Sequence, residues 1–179
     1  FGLNMIVHKG KTIFIGDTSV HEYPTSEQMA DMAISTARVV RLFGFDPKVA
    51  FVSHSTFGQP LTSRTKHIKK AVDILKDRNV NFEFDGDMQP DVALNSEYEE
   101  LYPFAKIVGK ANILIMPGQH SAAISYKLMK TIGDTKVIGP LLIGLGLPIE
   151  IAPLRTSTSE LINLASIAAY SAEKIDYNK

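Results

Sequence analysis

The sequence predicts an α/β fold, a three-layer α/β/α sandwich on a mostly parallel sheet. Short β-branched apolar runs alternate with segments of helical period, two of those segments open on capping boxes, and several apolar runs stop abruptly at polar or glycine-bearing loops. Alternation of this kind places helices on both faces of the sheet and ligands outside the carboxyl ends of the strands. A chain of 179 residues buries roughly 70% of its unfolded surface, enough for a core of its own.

The elements follow in order. Asn4 to Asp17, "NMIVHKGKTIFIGD", reads as two strands joined at Lys9-Gly10. Thr25-Ser26-Glu27-Gln28 fits a capping box, and Met29, Met32, Ala33, Thr36, Val40 and Phe43 fall on one helical face. The helix is placed at about Ser26 to Phe43, with Arg38 and Arg41 suiting the dipole and Gly44 the left-handed cap. Lys48 to Val52 is a buried strand that opens into the loop Ser53 to Pro60. Ile68, Ala71, Val72 and Leu75 stripe a second helix. Val80 to Phe84 alternates as a strand, and "DGDMQPD" turns the chain. Ile113 to Met116 is a strand ended by Pro117-Gly118, followed by a helix reaching Gly133 and a strand near Lys136 to Ile138. The last unit is a strand at Ile149 to Ile151, a capping box of Ser157 and Glu160, and a helix with Leu161, Leu164, Ala165, Ala168 and Ala172 on one face.

Composition excludes several classes. Nineteen basic against nineteen acidic residues give zero net charge, and no Lys/Arg run makes a stripe for nucleic acid. The absence of cysteine removes disulfides and thiolate chemistry and suits a cytoplasmic setting. No apolar segment approaches the ~20 residues that cross a bilayer. The chain starts at Phe1 rather than Met, as a piece of a longer protein would.

The chemistry-bearing stretches each have two readings. Ser53-His54-Ser55-Thr56-Phe57-Gly58 offers hydroxyl donors and a glycine that lets backbone N–H groups approach an anion; the alternative is a polar loop whose hydroxyls cap the next helix. Gly139-Pro140 to Gly144-Leu145-Gly146 permits close backbone approach to a ligand, or simply tight packing. Arg64 and Arg155 could each fork onto a phosphate, or serve as surface ion-pair residues. Asp85-Gly86-Asp87 reads as an ordinary turn, because Ser96 stands where a calcium loop needs a bidentate Glu. His8, His21, His54, His67 and His120 are scattered without i, i+4 pairing, so no metal site is expected. A nucleophile elbow, a Walker loop and G-x-G-x-x-G are all missing.

Four ordered stretches carry a family likeness: "DTSVHEYPTSEQMADMAISTARVVRLFGFDPKVAFVSHSTFG", "FEFDGDMQPDVAL", "GKANILIMPGQHSAAISYKLM" and "VIGPLLIGLGLPIEI". In register over almost the whole chain, they resemble the phosphate acetyl/butyryl transferase family. The family holds true phosphate acetyltransferases and the transferase-like C-terminal domain of bacterial NADP-dependent malic enzymes. In the former the strand-end loop reads S-Y/F-S-T-K-G-S, and His54 and Phe57 here resemble the malic enzyme version. Active transferases share an S-R-G segment with an Asp six residues beyond its Arg, and here Pro153, Leu154, Arg155 and Glu160 hold those places. Pro carries no hydroxyl and Leu no charge, so the resemblance implies no catalytic residue and a transferase-inactive regulatory and oligomerisation domain; the alternative is an active phosphate acetyltransferase.

The resemblance further implies a phosphate acetyltransferase-like, isocitrate/isopropylmalate dehydrogenase-like architecture of two lobes. Residues 1–16 would be a lead-in hairpin, 17–146 the second lobe, and 147–179 a strand and helix returning to a mostly absent first lobe. The implied ligand is acetyl-CoA or acetyl phosphate, held by Ser53, His54, Ser55, Thr56, Phe57, Gly58, Gly139, Pro140, Gly144 and Arg155. The implied partners are an N-terminal malic enzyme module and further copies in a homo-oligomer, with NADP and a divalent metal confined to that N-terminal part.

Overall fold

A computed structural model describes residues 1–174 of the chain. The first hairpin pairs β1 (Gly2–His8) with β2 (Lys11–Gly16) in antiparallel register. Lys9 and Gly10 at its tip both have left-handed backbones, φ 45° and 79°, the turn whose twist matches that of the strands. Helix α1 (Ser26–Leu42) opens as the sequence predicts: the Gln28 amide donates to the Thr25 hydroxyl at 3.1 Å, and the Thr25 amide donates to the Gln28 side chain at 2.7 Å. Its face of Met29, Met32, Ala33, Thr36 and Val40 is buried, and Gly44 takes the left-handed conformation just past its end.

The remaining elements are β3 (Lys48–Val52), α2 (Ser63–Asp77), β4 (Glu83–Met88), α3 (Pro90–Leu94), β5 (Ile113–Ile115), α4 (Gln119–Ile132), β6 (Thr135–Leu142) and α5 (Thr158–Lys174). They build one six-stranded sheet in the order β4-β3-β5-β2-β1-β6. The β4-β3, β3-β5 and β5-β2 pairs are parallel, and β1 is antiparallel to both of its neighbours. Five strands therefore share one direction and β1 alone is reversed, so the sheet is mostly parallel, as expected. The hairpin is not a lead-in to a separate body: its strands lie between β5 and β6, inside the sheet.

Strand alternation divides the core. Phe14, Val49, Phe51, Ile113 and Ile115 face one side with α1, α2 and Leu164 of α5. Ile15, Ala50, Val52 and Leu114 face the other with Val92 of α3 and Ala122 of α4. Phe14 is wholly buried beside Phe43 and Phe45, at 6.2 and 5.8 Å between ring centres. Each such side chain contributes about 1.5–3 kcal/mol by leaving water.

Four elements differ from expectation. The fourth strand lies at Glu83–Met88, sharing only Glu83 and Phe84 with the Val80 to Phe84 run, and passes through Asp85-Gly86-Asp87 instead of turning there. Gly86 faces Phe51, and a Cβ on it would sit 2.8 Å from the Phe51 carbonyl oxygen, so this glycine serves close strand approach rather than a turn. The sixth strand continues through Gly139-Pro140 to Leu142, where a Cβ on Gly139 would lie 2.8 Å from the Leu3 carbonyl oxygen. Ile149 to Ile151 forms no strand; only Glu150 bridges to Leu141. Helix α5 keeps its capping box, yet of its predicted apolar face Leu164 alone is fully buried, and Leu161, Ala165 and Ala172 are exposed.

Candidate functional site

The loop Ser53 to Gly58 leaves the carboxyl end of β3, as a strand-end site should. Its donors turn inward. The Ser55 hydroxyl donates to Asp87 Oδ2, the Gly58 amide donates to Asp87 Oδ1 at 3.0 Å, and the Phe57 amide donates to the Asp87 carbonyl at 2.6 Å. Thr56 Oγ1 accepts from the Gln89 amide at 3.2 Å, and the Ser53 amide donates to the Met88 carbonyl at 2.9 Å. Ser55 is fully buried and Thr56 nearly so, whereas His54 is exposed. Ser55 therefore does not present a free hydroxyl to a ligand, contrary to the expectation for this loop, and Thr56 is buried with its oxygen accepting from the end of β4. The end of β4 absorbs them because buried polar groups must find partners. Phe57, with φ 50°, packs against Tyr102 and Phe104 at 5.5 and 4.9 Å, and Phe104 stays exposed.

Gly139, Pro140 and Arg155 meet elsewhere. They line a cavity of about 260 Å³ beside β6, with Tyr126, Lys127 and Lys130 of α4 and with Pro153 and Glu160. Three strands, β5, β2 and β1, separate β6 from β3, so the ten expected ligand residues do not form one site. Gly144 lines a different cavity of about 230 Å³, shared with Arg38, Phe43, Glu150 and Ile167. Leu154 is fully exposed.

Glu160, at the place of the family's Asp, is engaged locally. Its Oε2 accepts from the Ser157 amide at 2.8 Å and from the Ser157 hydroxyl at 2.9 Å, while Lys130 Nζ donates to Oε1 at 3.1 Å. The Ser157 amide first, then its hydroxyl and the Lys130 charge, hold this carboxyl down at about 2. Glu150 goes the other way: burial pushes it up to about 7, against the Leu142 amide that donates to it at 3.1 Å.

Asp87, read in the sequence as part of a turn, is the residue that organises the first loop, and only its contacts across 32 residues of chain reveal it. Tyr126, Lys127 and Lys130 were also missed; their i, i+1, i+4 spacing puts the tyrosine and Lys130 on one helical face, which a search for basic residues around Arg155 could have used. A further cluster surrounds Asp17, which is buried and accepts from the Val20 amide at 3.0 Å, the His21 amide at 2.8 Å and His21 Nδ1 at 2.6 Å. Among the described residues no group of three or more His, Asp or Glu could hold a metal ion, and no helix is long and apolar enough to cross a membrane.

Known proteins share this fold. A family model described as phosphate acetyl/butaryl transferase matches residues 2–169. An NADP-dependent malic enzyme of Rhizobium meliloti is 46% identical over 171 residues, 96% of this chain but 22% of its own length. A phosphate acetyltransferase of Clostridium acetobutylicum is 34% identical over 164 residues, 90% of this chain and 49% of its own. A phosphotransacetylase crystal structure from Streptococcus pyogenes superposes with a TM-score of 0.92 at 28% identity, covering 97% of this chain and 54% of that one. The chain thus spans under a quarter of the malic enzyme relative and about half of the transferases, and it belongs to the phosphate acetyl/butaryl transferase family.

Proposed function

We propose that this chain is the transferase-like regulatory and oligomerisation domain of an NADP-dependent malic enzyme, that it does not turn over acyl phosphate, and that it binds acetyl-CoA as an effector. The observation that carries the loss of turnover is Glu160. Its carboxyl is engaged by the Ser157 amide and hydroxyl and by Lys130 Nζ, which hold it below the usual carboxylate range and make it a poorer proton acceptor. Pro153 and Leu154, at the places of the Ser and Arg of the family segment, supply neither a hydroxyl nor a charge for the developing negative oxygen. The cavity beside β6 supports ligand binding instead: Lys127, Lys130 and Arg155 suit phosphate groups, and Tyr126, Pro140 and Pro153 suit an apolar arm. The similarity to malic enzymes of Rhizobium meliloti, Rickettsia prowazekii and Salmonella typhimurium, at 46%, 37% and 34%, supports the larger context.

In this reading NADP and the divalent metal belong to an N-terminal module, which decarboxylates malate in the cytoplasm. Leu145, Leu147, Ile149, Ile151 and Leu154 after β6, and Leu161 and Ile162 of α5, are exposed large apolar side chains that the rest of the protein, or a further copy, would cover. The six-stranded sheet, its first hairpin included, then acts as one lobe, and the segment after β6 with α5 as its bridge to the other. The competing reading is a working phosphate acetyltransferase, favoured by the 34% identity to the Clostridium enzyme. Thioester formation from acetyl phosphate and CoA, followed in the full-length protein, decides between them: turnover on the order of 1–1000 per second establishes the transferase, and none supports the regulatory domain.

A further inference from the structure

Two donors of the Ser53 to Gly58 loop, the Ser55 hydroxyl and the Gly58 amide, meet on one carboxylate. Asp87 is 2% exposed, and among the described residues no lysine, arginine or histidine pairs with it. A buried carboxylate without a cation needs strong donors to hold its charge. Here Oδ2 takes the Ser55 hydroxyl and Oδ1 takes the Gly58 amide at 3.0 Å. Ser53 Oγ supports that hydroxyl from 3.2 Å, and the Phe57 amide fixes the same residue through its main chain at 2.6 Å. Hydroxyl and amide donors around a glycine, with no cation, are the set that binds a free oxyanion.

We propose that this loop is an oxyanion site of carboxylate size which the chain fills with its own Asp87 side chain. An external acyl phosphate or carboxylate finds the Ser55 hydroxyl and the Gly58 amide already taken, so this pair of donors is closed to ligands by an intramolecular carboxylate. The class of ligand it accepts once Asp87 is removed is a small carboxylate, with inorganic phosphate as the larger tetrahedral test. This inference is independent of acetyl-CoA binding beside β6, because the two places are three strands apart.

Chemical rescue tests it. Asp87→Ala leaves the donors and a space of carboxylate size, while Asp87→Asn keeps the space filled by a neutral amide. Thermal unfolding of the chain is measured in formate, acetate, phosphate and chloride at equal ionic strength. The expected result is a Tm of Asp87→Ala that climbs with the logarithm of formate concentration, as for a ligand bound only by the native state, with wild type and Asp87→Asn unchanged relative to chloride. Rescue by formate and acetate but not phosphate supports a site of carboxylate size. Should Asp87→Ala be unfolded in chloride, recovery of its helical circular dichroism in formate supports the proposal. An Asp87→Ala protein that responds to formate no more than wild type does, or stays unfolded in formate while Asp87→Asn folds, overturns it.

Discussion

Replacing Glu150 by glutamine stabilises the chain at pH 8 and removes part of its pH dependence. The carboxyl lies half-buried beside Phe43, Pro148 and Ile167, with the Leu142 amide donating to it at 3.1 Å. Burial raises it from 4.5 to about 7, so between those values the native state binds a proton that the unfolded state has released. Its stabilising contribution is complete below pH 4.5 and is lost as pH rises through about 7. The full displacement is equivalent to about 3.4 kcal/mol. Water reaches the group, and screening reduces the figure to ~1–2 kcal/mol. Glutamine keeps an acceptor for the Leu142 amide and carries no charge. Urea unfolding at pH 5 and pH 8 should show wild type losing ~1–2 kcal/mol more than Glu150→Gln over that interval. At pH 8 the variant should melt a few degrees higher, at ~2–4 °C per kcal/mol for a chain of this size. Equal pH slopes in the two proteins would refute the reasoning.

Ser55→Ala strips one donor from the buried Asp87 carboxylate and should cost about 1–3 kcal/mol by urea unfolding; a loss under 0.5 kcal/mol, roughly that of an ordinary surface change, would show the hydroxyl to be idle. Glu160→Gln should flatten the acid limb of the stability curve: the native carboxyl is held at about 2, so its contribution is present above pH 4.5 and disappears as pH falls toward 2. Circular dichroism from pH 2 to 6 reads this, and an unchanged limb counts against the Ser157 cap. Leu164→Ala should cost about 2–5 kcal/mol, because this is the buried anchor of α5; a smaller loss in calorimetry would mean the helix is held from elsewhere.

Local chemistry was legible in the sequence and distant pairing was not. The Lys9-Gly10 turn, the Thr25–Gln28 box and the apolar stripe of α2 depend on neighbours within four residues, and all three stand in the structure. Strand Lys48–Val52 was legible because a buried parallel strand is apolar throughout. Asp85-Gly86-Asp87 misled because the same letters make a turn in isolation and a close strand contact when Phe51 lies alongside. Ile149 to Ile151 has the composition of a strand, yet strand formation needs a partner edge, and only Leu141 offers a bridge. The site suffered most. The hydroxyls of Ser55 and Thr56 suggest an anion cradle by type, but whether they are free depends on Asp87 and Gln89, more than 30 residues away. Likewise Lys127 and Lys130 join Arg155 only because α4 and the segment between β6 and α5 flank the same edge strand.

Acetyl-CoA titration of malate-dependent NADPH formation, in the full-length protein that carries this chain and in its Lys127→Ala/Arg155→Ala variant, decides whether this is an effector domain. A coupling of ~1–3 kcal/mol would change the wild-type rate or half-saturation by about 5- to 150-fold, and the variant should lose most of that response. No response in wild type, or an identical response in both proteins, would contradict effector binding beside β6.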